Sequence, residues 1–192
     1  MSSVNEILDF WFGTSQEDTA GIARKVWFTK DPGFDQTIQT RFMADYQQAA
    51  AGKLDHWQQS SQGCVALVLL LDQFPRNMFR GSARAFATDT QALSVTQHAI
   101  ACALNQELPP LQRWFLYIPF MHSENLDHQR QSVELFRQLR DEDSETKSAF
   151  PYAVRHLEVI ERFGRFPHRN QILGRVSTPE ETEFLKQPGS SF

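Results

Sequence analysis

The sequence is poor in the features that mark most chemistries. It has two cysteines, Cys64 and Cys102, each inside an apolar helical pattern and neither in a metal-type spacing. That excludes a disulfide framework, and both thiols are expected to be buried in a reducing cytoplasm. Alternating Val/Ile/Thr runs and Asn-Gly turns, the signals of strands and hairpins, are missing. The longest apolar run falls well short of the roughly 20 residues that span a bilayer. The opening MSSVNEILDF carries acids and no basic region, so a signal peptide is not expected. There is no Gly-x-Ser-x-Gly, no phosphate-cradling Gly-rich loop and no His-Glu-x-x-His. A net charge of −4 offers no basic excess for nucleic acid or an anionic membrane. The expectation is a soluble cytoplasmic protein with no cofactor, no metal, and neither nucleic acid nor membrane as a partner.

What is present is helix and aromatic bulk. With 192 residues, 41% of them hydrophobic and 16 of them Phe, the chain can bury a core as a single all-helical domain over 1–192. Ser3-Val4-Asn5-Glu6 has the form of a capping box, as does Thr178-Pro179-Glu180-Glu181. Asp31-Pro32 is a third start signal. Behind it Phe34, Ile38, Phe42 and Tyr46 recur every four residues on one helix face, which Gly52 should end. Further helices are expected near 61–73, 89–106, 110–118, 124–141 and 150–163. The fold class is all-α, built as stacked antiparallel helical hairpins. No fixed repeat period is visible.

Three segments share one pattern, an apolar helix, an aromatic-flanked proline, then a polar cluster. They are LLDQFPRN (70–77), WFLYIPFMHSEN (114–125) and RFGRFPHRN (162–170). Each helix should break near its proline, and the flanking Phe side chains should pin a stiff polar turn. Asp72 faces the negative end of its helix among apolar neighbours, so it needs a cation. Arg76, Arg80, Arg162, Arg165 and Arg169 are the candidates. The stretch 155–175 holds five arginines and no lysine, which favours bidentate grip on a carboxylate or phosphate. The bland alternative pairs those arginines with the acidic RDEDSE at 140–145. Ser123 reads as a helix N-cap. His122, Glu124, Asp127 and His128 lack the spacing of a metal site.

The segments ILDFWFG, LLLDQFPRNMFRG with AFATD, FLYIPFMHSE and RFGRFPHRNQILGRVSTPEE resemble a widespread bacterial family known as domain of unknown function 924. The similarity runs over nearly the whole chain. It implies a tetratricopeptide-like right-handed helical array, and it transfers no activity.

The expected site gathers the three turns at one end or face of the stack as an arginine-rich pocket for an anionic small molecule or peptide carboxylate. Asp72 would orient Arg76, Arg80, Arg162, Arg165 and Arg169. Gln73, Asn77 and Asn170 would supply directional hydrogen bonds, with His122 and Glu124 as the opposite wall and His168 beside them. Two other classes compete. One is a peptide-docking groove lined by exposed aromatics near Trp11, Trp27 and Trp57. The other is a hydrolase-type enzyme using Glu124 or His168 as acid or base.

Overall fold

The computed structural model describes residues 1–14, 26–27 and 29–190, and among them the regular structure is helical, with no strand. The local start signals act as written. Ser3 and Glu6 close a reciprocal capping box on α1 (Val4–Phe12). Asp31 accepts from the amides of Gly33 and Phe34 to open α2 (Pro32–Ala50), whose Ile38, Phe42 and Tyr46 face inward. Thr178 and Glu181 form the second box, on α9 (Pro179–Phe184).

The centre is the segment that begins with α3 (Ser61–Val68). Every residue from Gly63 to Phe74 is buried, which is why this helix is apolar all round and carries no polar face. Gly63 is required there: a Cβ would lie 2.1 Å from the Trp57 carbonyl oxygen. Around this axis pack α1, α2, α5 (Asp89–Ala101) and α6 (Pro110–His122). The outer layer continues through α7 (Leu126–Glu142) and α8 (Ala149–Phe163), each packed against its predecessor in the chain. Phe10, Trp11, Trp27, Phe42, Phe74 and Phe115 interlock in tilted and edge-on pairs 4.7–6.2 Å apart.

The expected breaks at two of the prolines do not occur. Leu69–Gln73 widens into a π turn, and the chain runs on as α4 (Phe74–Met78), with Pro75 in its first turn. Pro75 has no N–H to give, and side chains take the carbonyls beneath it. Thr88 Oγ1 donates to the Leu71 oxygen at 2.5 Å, and Arg76 Nη1 donates to the Asp72 oxygen at 2.8 Å. Pro119 sits inside α6, where Thr96 Oγ1 donates to the Leu116 oxygen at 2.8 Å. Only the third segment breaks as expected: Gly164, at φ +66°, caps α8 and turns the chain.

The dependence on Thr88 can be checked directly. Thr88→Val keeps the volume but strands a buried carbonyl beside Pro75, so it should cost about 1–3 kcal/mol. Urea unfolding of the variant beside the wild type measures this. A change below a few tenths of a kcal/mol would mean that the Pro75 site is satisfied in some other way.

Smaller expectations also change. Ser123 is not an N-cap. Asn125 fills that role through the amides of Asp127 and His128, so α7 starts at Leu126 and not at 124. Helix α5 stops at Ala101, and a short 3-10 turn follows at Leu104–Glu107. Helix α6 extends past 118 to His122. Cys64 is buried, but Cys102 is exposed, because the apolar stripe of α5 has ended by that position.

Candidate functional site

The helix ends do come together. A cavity of about 320 Å³ is lined by Phe86, Asp89, Pro119, His122, Ser123, Glu124, Arg169 and Leu173, among others. It joins the end of α6, the start of α5 and the 3-10 turn Pro167–Arg169.

Its wall is organised by one wholly buried carboxylate. Asp72 is 0% exposed. Its Oδ1 lies 2.7 Å from His122 Nδ1 and 3.2 Å from Arg76 Nη1, and Oδ2 accepts from Gln73 Nε2 at 2.5 Å. Burial works to raise its pKa, but Arg76 and His122 outweigh that and hold it down to about 2. Arg76 reaches across to Asp89 with two parallel hydrogen bonds of 3.0 Å. The same Asp89 meets Arg169 from the other side, at 3.5 Å.

Arg169 is the most unusual group in the cavity. The residue is 6% exposed, and its guanidinium lies over the rings of Phe86 (4.7 Å) and Phe166 (4.5 Å). Its Nε has no hydrogen-bond partner. Burial, then the nearby Arg76 charge, lowers its pKa to about 10. Glu124 also lines the space but is occupied: it grips Arg175 with two hydrogen bonds of 2.7 and 2.9 Å and accepts from the Phe166 amide at 2.8 Å. Despite its burial, these partners keep its pKa below the ordinary value.

Histidines crowd the same corner. His156 in α8 lies 6.3 Å from the His122 ring and 5.5 Å from Phe166, and His168 lies 5.7 Å from Phe166. Burial first, and then neighbouring positive charge, pushes His156 down to about 3 and His168 down to about 4.

Of the residues expected from sequence, His122, Glu124 and Arg169 line the cavity, Asp72, Gln73 and Arg76 stand directly behind them, and His168 lies in the same corner. The others turn elsewhere. Asn77 and Arg80 both bind Asp35. Arg162 pairs with Glu180 and Arg165 with Glu181, which also takes Asn170. Asp72 thus orients only Arg76 among the five arginines suggested for it. The acidic stretch 140–145 is not what takes Arg162 and Arg165. Glu180 and Glu181, in the first turn of α9, take Arg162 and Arg165.

Asp89 and Phe86, within the segment AFATD, were missed. So was His156 as a member of the corner. A run such as AFATD carries no local mark of function, and only its aromatic-then-acid order beside a distant arginine could have pointed to it.

Trp11 and Trp27 are buried in the core and Trp57 is half-buried against it, so none of the three presents the exposed ring that a docking groove would need. Among the described residues, no group of three His, Cys, Asp or Glu could hold a metal ion, and no helix is long and apolar enough to cross a membrane.

These features define a class first: an all-helical protein whose polar helix ends close around a small cavity holding a buried arginine. Residues 7–189 match the model of a family described as bacterial protein of unknown function (DUF924), and the chain belongs to that family. The solved structure of a protein of unknown function, ATU0120 from Agrobacterium tumefaciens, superposes with a TM-score of 0.83 at 38% identity, over 95% of this chain and 96% of that one. Comparison with curated proteins gives no match.

Proposed function

We propose that the cavity binds a small anion, a carboxylate or phosphate group of a metabolite, with Arg169 as its anchor. The observation that carries this reading is the state of that guanidinium. It is buried, its Nε is unpartnered, and its nearest carboxylate stands at 3.5 Å and already serves Arg76. A buried cation so weakly paired is costly, and an incoming anion offsets that cost with charge-assisted hydrogen bonds. The planar fork between two aromatic rings fixes its orientation, so little ordering remains to be done on binding. The size of the cavity fits a compact ligand. A larger hollow of about 570 Å³, lined by Asp55, Gln58, Gln59, His98, Cys102 and Leu104, offers no arginine or lysine and is a poorer place for an anion.

The test is a thermal-shift titration with inorganic phosphate and with small mono- and dicarboxylates. An anion at about 100 times its dissociation constant should add roughly 2.7 kcal/mol. For a chain of this length that raises the melting temperature by about 5–10 °C. Arg169→Gln should abolish the shift. Arg165→Ala, which breaks the pair with Glu181 away from the cavity, should lower the baseline and keep the shift. A shift that persists in Arg169→Gln, or its absence with every anion, would remove the reading.

A further inference from the structure

Anion binding needs a cation and a way in. It does not need a wholly buried carboxylate hydrogen-bonded to a histidine in the cavity wall. Asp72 Oδ1 at 2.7 Å from His122 Nδ1 selects the tautomer that carries its proton on Nδ1. The Nε2 lone pair is then the atom that His122 can offer to a ligand in the cavity it lines. Asp72 itself cannot swing away, because Arg76 and Gln73 hold it from the other side.

The setting favours gain and return of a proton. His122 occupies the last turn of α6, where the helix dipole supports a positive ring. An imidazolium formed there finds an ionised carboxylate already in place, at no cost of rearrangement. The resting ring is neutral: burial, then the Arg76 charge, lowers its pKa, while Asp72 and Asp89 act in the opposite direction. His156 from α8 lies beside it, His168 from the 3-10 turn is near enough to feel its charge, and Arg169 and Glu124 share its cavity. The carboxylate sits in a π turn, an irregularity that recurs at functional sites. Glu124 cannot serve as the base in its place, since both its oxygens are engaged with Arg175.

Resting on the anion-pocket reading, we propose that His122, oriented by Asp72, is the general base of a proton-transfer enzyme acting on a small carboxylate or phosphate ester held by Arg169. In that step a C–H or O–H bond of the substrate breaks, its proton passes to His122 Nε2, and the electron pair stays on the substrate. The imidazolium, steadied by Asp72, then gives the proton to a different atom of the same molecule. The net change is an isomerisation and needs no co-reactant. His122 is the catalytic residue and Asp72 the positioning residue.

The probe is diethyl pyrocarbonate on the full chain, read by peptide mass spectrometry. A neutral imidazole nitrogen attacks its carbonyl carbon, forming an N–C bond and expelling ethyl carbonate. At pH 5.5 an ordinary imidazole is only about one-tenth neutral, whereas burial and the Arg76 charge favour the neutral ring of His122, so His122 should react faster than a free histidine peptide in the same tube. Inorganic phosphate should protect it, and Asp72→Asn should slow labelling several-fold while phosphate still raises the melting temperature. A His122 that stays unlabelled in the wild-type protein while surface histidines react would overturn the base, whether or not any variant folds. If phosphate still shifts the melting temperature in that case, the anion pocket stands without the dyad. A labelled His122 that phosphate neither protects nor stabilises would sink the pocket, and with it the substrate class.

Discussion

The protein should lose at least about 4 kcal/mol of stability between pH 8 and pH 5, well above the range where carboxylates titrate. That much comes from two histidines behind the cavity, His156 with a pKa near 3 and His168 near 4, and His122, whose pKa is also lowered, adds to the fall in the same direction. Below about pH 6.5 the unfolded chain takes up a proton at each ring, and the folded protein refuses it until the pH reaches the depressed values. Stability therefore falls as pH falls, from about 6.5 down to about 4 for His168 and about 3 for His156. At pH 5, about 1.5 pH units below the ordinary histidine value, each ring accounts for about 2 kcal/mol. For 192 residues that is a drop in melting temperature of roughly 10 °C. Asp72 and Glu181, both held down to about 2, act in a separate window: their contribution is complete above about pH 4 and is lost toward pH 2. His156 also donates from Nδ1 to the Tyr152 carbonyl at 2.7 Å, so His156→Gln will shift the baseline. The slope is the readout. In that variant the decline between pH 7 and pH 5 should be clearly shallower, and a wild-type curve that is flat there would show that the rings protonate freely in the folded state.

Asp72→Ala should cost about 3 kcal/mol, near the lower end for breaking a buried ion pair. Three groups lose a partner at once: His122 Nδ1, Gln73 Nε2 and one side of the Arg76 guanidinium. The cost stays at the lower end because Asp89 keeps both of its hydrogen bonds to Arg76. Removing the cation as well should recover part of the loss, so Asp72→Ala with Arg76→Met is expected to be less destabilised than the sum of the single variants. Chemical denaturation of the four members of that cycle measures the coupling. A cost below about 1 kcal/mol for the single variant would mean that Asp72 is no structural anchor.

What could be read in the sequence was what the chain decides within four or five residues. Ser3, Asp31 and Thr178 cap helices because their acceptors reach amides two or three positions ahead, whatever surrounds them. The all-α class followed from these caps, the hydrophobic spacing and the lack of strand signals. The prolines were misread because their fate depends on distant groups: Thr88, 13 positions beyond Pro75, takes the Leu71 carbonyl that Pro75 leaves without a donor, and Thr96 bonds the helix of Pro119 at the Leu116 carbonyl. The site was legible in the same measure. Asp72 needed a cation by local electrostatics, and His122, Glu124 and Arg169 stood in conspicuous clusters. Which arginine would remain weakly paired could not be read, because Asp35, Glu180 and Glu181 compete for Arg80, Arg162 and Arg165 only once the chain has folded.

The π turn at Leu69–Gln73 fixes the phase of everything that follows it. It holds one residue more than a regular turn needs, and one residue is worth about 100° of rotation about the helix axis. A chain with a single deletion between Val68 and Phe74 would form the smoother helix and keep its apolar core composition. It would also swing Arg76 away from Asp89, and Asn77 and Arg80 away from Asp35, all in one motion. The length of this buried segment is therefore set by the bearing of the polar side chains at its end, and sequence change there is confined to substitution.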